Sequence, residues 1–287
     1  MFAINHKLKI RLEFAKFVSF ADKTLFCQKL KLIVLGPQTS VNIQTGIDGQ
    51  FSNEGVSHLK NFKLRVIQEV ITLQAECGRN PLLVQSLLNV NGKENYSLLR
   101  KDYYLSRRKL NCSLDMQVGS DGMIELEKIS KITLPDKSST YEKLLFETCK
   151  KFIDDTSTGY DVLLVDSNRY LNVLKNITKI KIDGISLVEK GEIDYAQFQL
   201  IGMIPDHTAA YSIGAKGLTG EGYRGHVFWD TEIFLVPFFQ NLSPDIARNL
   251  LQFRVNGINA ARQKAAKFGY QGALFPWEVT IDGKEKT

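Results

Sequence analysis

Within ten residues of GEGYRGHVFWDTE, residues 220–232, stand Tyr223, Arg224, His226, Phe228, Trp229, Asp230 and Glu232, side chains able to bind or react. Carboxylates, an arginine and a histidine can accept from or donate to a ring of hydroxyls, while an aromatic ring covers the apolar C–H face of a pyranose. The mixture is that of a sugar site. The other tryptophan, Trp277, lies in GALFPWE and, like Trp229, is followed by an acid, Glu278. Asp230 and Glu232 are too close in sequence to flank a scissile bond as acid and base. Each residue also has a framework reading. Trp229 can be core, Asp230 and Glu232 can pair with Arg224 or Arg248, His226 can be structural, and Tyr223, Phe228 and the IFLVPFF run can be packing.

The same stretch fits G-x-G-x-x-G-x-V, a pattern that elsewhere covers nucleotide phosphates. A dinucleotide site needs a buried strand just before the first glycine, and SIGAKGLT before Gly220 is small and polar. A kinase loop needs V-A-I-K, H-R-D and D-F-G segments downstream, and none follows Gly225. Nucleotide binding is excluded on context, and the glycines read as a tight turn beside a pocket.

The elements that must position this cluster differ along the chain. In 287 residues with 44% hydrophobic side chains there is enough apolar material for one large or two ordinary domains. The net charge of +6 is scattered rather than gathered on a face, which argues against nucleic acid. Cys27, Cys77, Cys112 and Cys149 lie far apart, without metal-ligand or disulfide spacing, and are expected as buried, reduced thiols. No apolar run reaches a membrane span, and MFAINHKLKIRLEF has no signal-peptide pattern, so a cytoplasmic location without a membrane partner is expected.

The first half reads as strands. Val41, Ile43 and Ile47 alternate with polar residues toward the Asp48-Gly49 turn, KLKLIVLGP stops at Gly-Pro, NFKLRVIQEVITLQ is rich in β-branched residues, and MIELEKISKITLP follows the Asp121-Gly122 turn. Short strands at this spacing predict a β-sandwich. From SSTYEKLLFETCKKFID a connecting helix is expected, with Ser139 and Glu142 as a capping box and Leu145, Cys149 and Phe152 on one face. In SPDIARNLLQFRVNGINAARQKAAKFG, Ser243 is the expected cap and Pro244 the first helical residue. Ile246, Leu250, Phe253, Ala261, Ala265 and Phe268 form the stripe, Gly257 bends or splits the helix, and Gly269 ends it.

IGAKGLTGEGYRGHVFWDTEIFLVPFF and PDIARNLLQFRVNGINAARQKAAKFGYQGALFPWE closely resemble the start of the catalytic domain of glycoside hydrolase family 65. KFVSFADKTLFCQKL and VNIQTGIDGQFSN resemble later strands of that family's N-terminal sandwich, and STYEKLLFETCKKF its linker helix. The resemblance implies a multidomain β-then-α chain: part of a galactose-mutarotase-like β-supersandwich at 1–135, a helical linker at 136–191, and the first part of an (α/α)6 barrel at 192–287.

The resemblance also implies chemistry. The family holds inverting disaccharide phosphorylases for kojibiose, nigerose, maltose and trehalose, together with trehalose hydrolases. These act without metal or organic cofactor, and phosphate is the co-substrate. Trp229 and Asp230 inherit a role in binding the reacting glucosyl unit, with Arg224, His226, Glu232, Trp277 and Glu278 as further substrate-binding candidates. On this reading the chain is truncated at both ends. The general acid and phosphate loops are expected beyond Thr287, so no catalytic residue is assigned within it and the chain alone is expected to be inactive. The partners implied are a disaccharide and phosphate, with a homodimer for the intact enzyme. A family hydrolase and a non-catalytic carbohydrate-binding remnant remain alternatives.

Overall fold

The computed structural model describes residues 2–3, 9–52, 55–78, 80–92, 95–135, 141–218 and 222–285. Two compact units divide at Arg169 and Tyr170, within one helix.

Among its described residues the first unit contains ten strands: β1 (Phe2–Ala3), β2 (Lys9–Val18), β3 (Leu25–Leu35), β4 (Thr39–Asp48), β5 (Leu59–Ile67), β6 (Val70–Cys77), β7 (Asn80–Gly92), β8 (Tyr96–Ser106), β9 (Lys109–Val118) and β10 (Met123–Thr133). They form two antiparallel sheets, seven strands in the order β1-β2-β3-β10-β7-β6-β5 and three in the order β4-β9-β8.

Alternation decides which side each residue serves. On β9, Leu110, Cys112, Leu114, Met116 and Val118 point inward and meet Leu32 and Val34 of β3, Ile71 of β6 and Ile124 and Leu126 of β10. The opposite face of the large sheet is apolar too. Leu25 and Cys27 of β3, Val70 of β6 and Ile129 of β10 pack on Leu145, Cys149 and Phe152 of α1 (Tyr141–Thr156) and on Tyr160 of α2 (Gly159–Ile177). Covered on both sides, β6 is buried at every position from Val70 to Ala75, the polar Thr72 and Gln74 included, although these alternate with Ile71, Leu73 and Ala75. The expected face of Leu145, Cys149 and Phe152 is realised; the Ser139–Glu142 cap lies outside the described residues.

One lysine fastens α2 to the large sheet. The Lys29 ammonium stands 3.0 Å from Glu125, 3.4 Å from Glu127 and 2.8 Å from Asp161, and 4.9 Å from the centroid of the Tyr160 ring. These three carboxylates lie close enough together to hold a cation, and the ammonium is that cation. Burial alone would lower the Lys29 pKa, but the hydrogen bonds to Asp161 and Glu125 outweigh it and hold the pKa above the usual lysine value.

The second unit is helical. After α3 (Leu187–Met203) come β11 (Ala215–Leu218), β12 (Val227–Phe228), α4 (Val236–Leu242), α5 (Pro244–Asn256), α6 (Ile258–Lys267) and β13 (Glu278–Val279). Helix α3 starts at a capping box in which the Ser186 hydroxyl accepts from the Glu189 N–H and the Glu189 carboxylate accepts from the Ser186 N–H.

Gly257 splits the expected long helix into α5 and α6. A Cβ on Gly257 would stand 3.2 Å from the Cα of Gly283, and one on Gly283, where φ is +71°, only 2.7 Å from the Cα of Gly257. The break is therefore a close backbone crossing that only small residues permit.

Three expectations need correction. Ser243 stands at the start of α5, but its side chain makes no capping hydrogen bond; its carbonyl accepts from the Ile246 N–H instead. Phe268 lies past the end of α6 and is exposed, so it leaves the stripe, whereas Ile246, Leu250, Phe253, Ala261 and Ala265 are buried as expected. Cys77, at the end of β6, is exposed; Cys27, Cys112 and Cys149 are buried and all four are free. Among the described residues no helix is long and apolar enough to cross a membrane.

Candidate functional site

The site is built where two distant segments pair. Strands β12 and β13 run antiparallel with Val227 opposite Val279 and Phe228 opposite Glu278. HVFWDTE and FPWE thereby become one surface. Two residues per strand have little stability of their own, and the pairing is held by what surrounds it. Val227, Val279 and Phe253 of α5 form a small buried cluster beneath it.

Three side-chain ties cross the pair. The His226 Nδ1 lies 2.5 Å from Glu278 Oε1, with both side chains less than one fifth exposed. A carboxylate only accepts, so the proton of this bond sits on Nδ1. The Trp229 indole N–H donates to the Pro276 carbonyl at 2.8 Å. Arg254, buried on α5, donates to the same carbonyl at 3.2 Å and pairs with Glu232 at 2.8 Å.

The rings Tyr223, Phe228 and Trp277 meet edge to face in series, with centroids 5.2 and 5.0 Å apart. Each such contact contributes about 0.5–1.5 kcal/mol beyond its buried area.

The entry to the cluster is strained. Tyr223 and Arg224 take φ of +62° and +51°, left-handed values that cost a non-glycine residue about 1–3 kcal/mol, and Gly225 follows at +72°. Gly220 and Glu221 lie outside the described residues. The backbone then tightens. Ala215 N–H donates to the His226 carbonyl, and the Thr231 hydroxyl donates to the Ile213 carbonyl at 2.7 Å. Thr231–Leu235 is a π-helical turn rather than an α-helical one, a rare geometry found most often at functional positions. It begins directly after Asp230.

The expected residues thus fall into two groups. His226, Glu232 and Glu278 are partly buried and bonded into the framework. Glu232 pairs with Arg254, not with Arg224 or Arg248, and Arg248 pairs with Asp245. Trp229, Asp230 and Trp277 face outward: the tryptophans are 44% and 50% exposed, and Asp230 is exposed with no side-chain hydrogen bond or ion pair among the described residues. Arg224 is exposed beside them in sequence. Phe228 is buried packing, as are Val236 and Phe239, but Ile233 and Phe234 of the IFLVPFF run are exposed.

Arg254 was not among the sequence candidates. A signal existed, because Ile246, Leu250 and Arg254 follow one another at helical spacing, which puts a charge where the apolar stripe would continue. Two hollows of about 530 and 470 Å³ in this unit are lined by residues 172–197 and 198–225; neither includes Trp229 or Asp230, which stand on open surface.

The fold is a β-sandwich followed by helices, with a glycine-rich turn that leads to an aromatic and carboxylate surface. The model of the glycosyl hydrolase family 65 N-terminal domain matches residues 4–174, and that of the family 65 central catalytic domain matches 194–287. The chain belongs to glycosyl hydrolase family 65.

Its relatives include kojibiose phosphorylases of Halothermothrix orenii and Escherichia coli, each 32% identical, over 96% and 95% of this chain and 36% of their own lengths. A nigerose phosphorylase of Lachnoclostridium phytofermentans is 36% identical over 44% of this chain and 17% of its own. The solved structure "Putative kojibiose phosphorylase from human microbiome" superposes with a TM-score of 0.84 at 22% identity, over 98% of this chain and 37% of that one. The chain spans about a third of the length of these phosphorylases.

Proposed function

We propose that Trp229 and Asp230 hold the glucosyl unit of an α-linked disaccharide undergoing inverting phosphorolysis. The observation that supports the reading is the division of the cluster. His226, Glu232 and Glu278 bond into the framework, while an exposed indole and an unpaired carboxylate stand next to each other just before the π-helical turn. An indole face covers the apolar side of a pyranose, and a carboxylate accepts from two of its hydroxyls. Trp277, half exposed and edge to face with Phe228, extends the aromatic surface, and Arg224 is a further hydroxyl partner.

In the reaction a proton is delivered to the leaving oxygen as the bond to the anomeric carbon breaks. Phosphate attacks the opposite face, giving β-glucose 1-phosphate and a free sugar. None of the clustered residues is assigned as the acid, which is expected from outside this sequence. Phosphate is the co-substrate and no other cofactor is required. The GALFPWE segment favours kojibiose or nigerose over maltose as the disaccharide. The reading carries with it a cytoplasmic location and a homodimer, with neither nucleic acid nor membrane as partner. It also divides the chain into sandwich (1–135), linker (136–191) and barrel start (192–287).

The test is calorimetric titration of the 287-residue chain with glucose, followed by an assay with kojibiose and phosphate. Glucose binding that disappears in Trp229→Ala, with no glucose 1-phosphate released by the chain alone, is the expected pair of results. Binding unchanged in Trp229→Ala would return that tryptophan to a framework role. Free glucose formed from kojibiose without phosphate would make the activity hydrolytic.

A further inference from the structure

The Pro276 carbonyl is shared. It accepts from the Trp229 indole N–H at 2.8 Å and from Arg254 Nη1 at 3.2 Å, while Arg254 Nη2 is held by Glu232 at 2.8 Å. Arg254 belongs to α5, Pro276 to the segment before β13, and Trp229 and Glu232 to the turn after β12, so one guanidinium joins three parts of the unit. Its side chain is only 9% exposed, and the Glu232 side chain only 22%. A charge so enclosed is costly unless paired, and the pair is therefore fixed in place.

We propose that Arg254 is a positioning residue for Trp229. By drawing the Pro276 carbonyl to one place, it fixes the acceptor that sets the rotation of the indole, and Glu232 serves as its counter-charge rather than as a sugar ligand. The planar guanidinium is suited to this, because its fork donates to Glu232 and to Pro276 simultaneously from one rigid group, which a lysine ammonium on a flexible stem does not. Two atoms of the assembly, Arg254 Nε and Glu232 Oε1, are buried without a hydrogen-bond partner among the described residues. The arrangement therefore leaves some hydrogen-bonding capacity unused in order to keep the fork on Pro276.

The sugar-binding consequence rests on the function proposed above, but the positioning is measurable without sugar. In a Trp277→Phe background of the full chain, Trp229 is the sole tryptophan and its fluorescence reports its own environment. Arg254→Met should shift that emission to longer wavelength and raise acrylamide quenching about two-fold or more as the carbonyl loses its anchor. Arg254→Lys should recover part of both changes, and circular dichroism should stay native.

If Arg254→Met unfolds the chain, Arg254→Lys decides alone. A folded Lys variant with altered Trp229 quenching supports the proposal, and parent-like emission and quenching overturn it. Parent-like fluorescence in a folded Arg254→Met chain overturns it as well. In chains that bind glucose, Arg254→Met should weaken binding about ten-fold, a loss of positioning rather than of contact. A parent chain that does not bind glucose would refute the functional reading and leave the fluorescence result to judge Arg254.

Discussion

His226 and Glu278 are 52 residues apart in the chain, yet their side chains meet at 2.5 Å across the β12–β13 pair. With two residues in each strand, the pairing depends on such ties. Removing one partner strands the other, partly buried, without its hydrogen bond, at a cost of about 1–3 kcal/mol. His226→Ala and Glu278→Leu should each lower the stability of the chain by that amount in urea titrations, and the double variant should cost clearly less than the sum. Additive losses would show that the contact contributes nothing of its own.

The large sheet makes a second prediction. Phe152 is 1% exposed, on the face of α1 that covers Cys27, Val70 and Ile129. Phe152→Ala leaves a cavity that the surrounding β-branched side chains cannot close and should cost about 3–5 kcal/mol. Phe146, on the other side of the same helix and 54% exposed, should tolerate alanine with a change below about 0.5 kcal/mol. Equal effects would mean that α1 is not seated on the sheet by this face.

Thiol chemistry tests the same core. Burial, with Asp22 and Glu127 adding to it, pushes the Cys27 thiol up to about 12, and burial raises Cys112 and Cys149 as well. A thiol reagent at pH 8 attacks thiolate that it can reach. One of the four cysteines, Cys77, should react in the folded chain and all four in denaturant. A native stoichiometry of two or more, traced by peptide mapping to Cys27 or Cys149, would contradict the packing of α1 on the sheet.

How much of this the amino-acid sequence discloses depends on the length of each pattern. β4 alternates over ten residues and is plain from Val41, Ile43 and Ile47. β6 alternates as well, Ile71, Leu73 and Ala75 with Thr72 and Gln74, yet both of its faces are buried, and the turn joining β5 to β6 is made by Gln68 and Glu69 at positive φ, where glycine or asparagine would have marked it. In α2, Val162, Val165 and Val173 are exposed although Tyr160 and Leu174 are buried, so its apolar residues point to no single face.

The site divides in the same way. The binding residues stand out by type, since aromatics, acids, arginine and histidine are dense in HVFWDTE. Their assembly does not, because a two-residue strand has no period and a carbonyl such as that of Pro276 has no signature in the sequence at all. Only the three-dimensional pairing separates Glu232 and Glu278, bonded to Arg254 and His226, from Asp230, which is not.

The Lys29 cluster gives a prediction with a definite sign. The pKa of this lysine is higher folded than unfolded, because the hydrogen bonds and charges of Asp161 and Glu125 outweigh the burial of the ammonium. The folded state therefore holds the proton more tightly. The stabilisation is complete below the ordinary lysine value of 10.5 and disappears as pH rises through the higher folded value. Lys29→Met removes the charge and leaves three carboxylates facing one another, so it should destabilise the chain most at neutral pH. The gap between wild type and variant in urea midpoint should be flat from about pH 7 to 9 and narrow above about pH 10.5. A gap that does not narrow at alkaline pH would mean that Lys29 contributes through its aliphatic stem against Tyr160 and not through its charge.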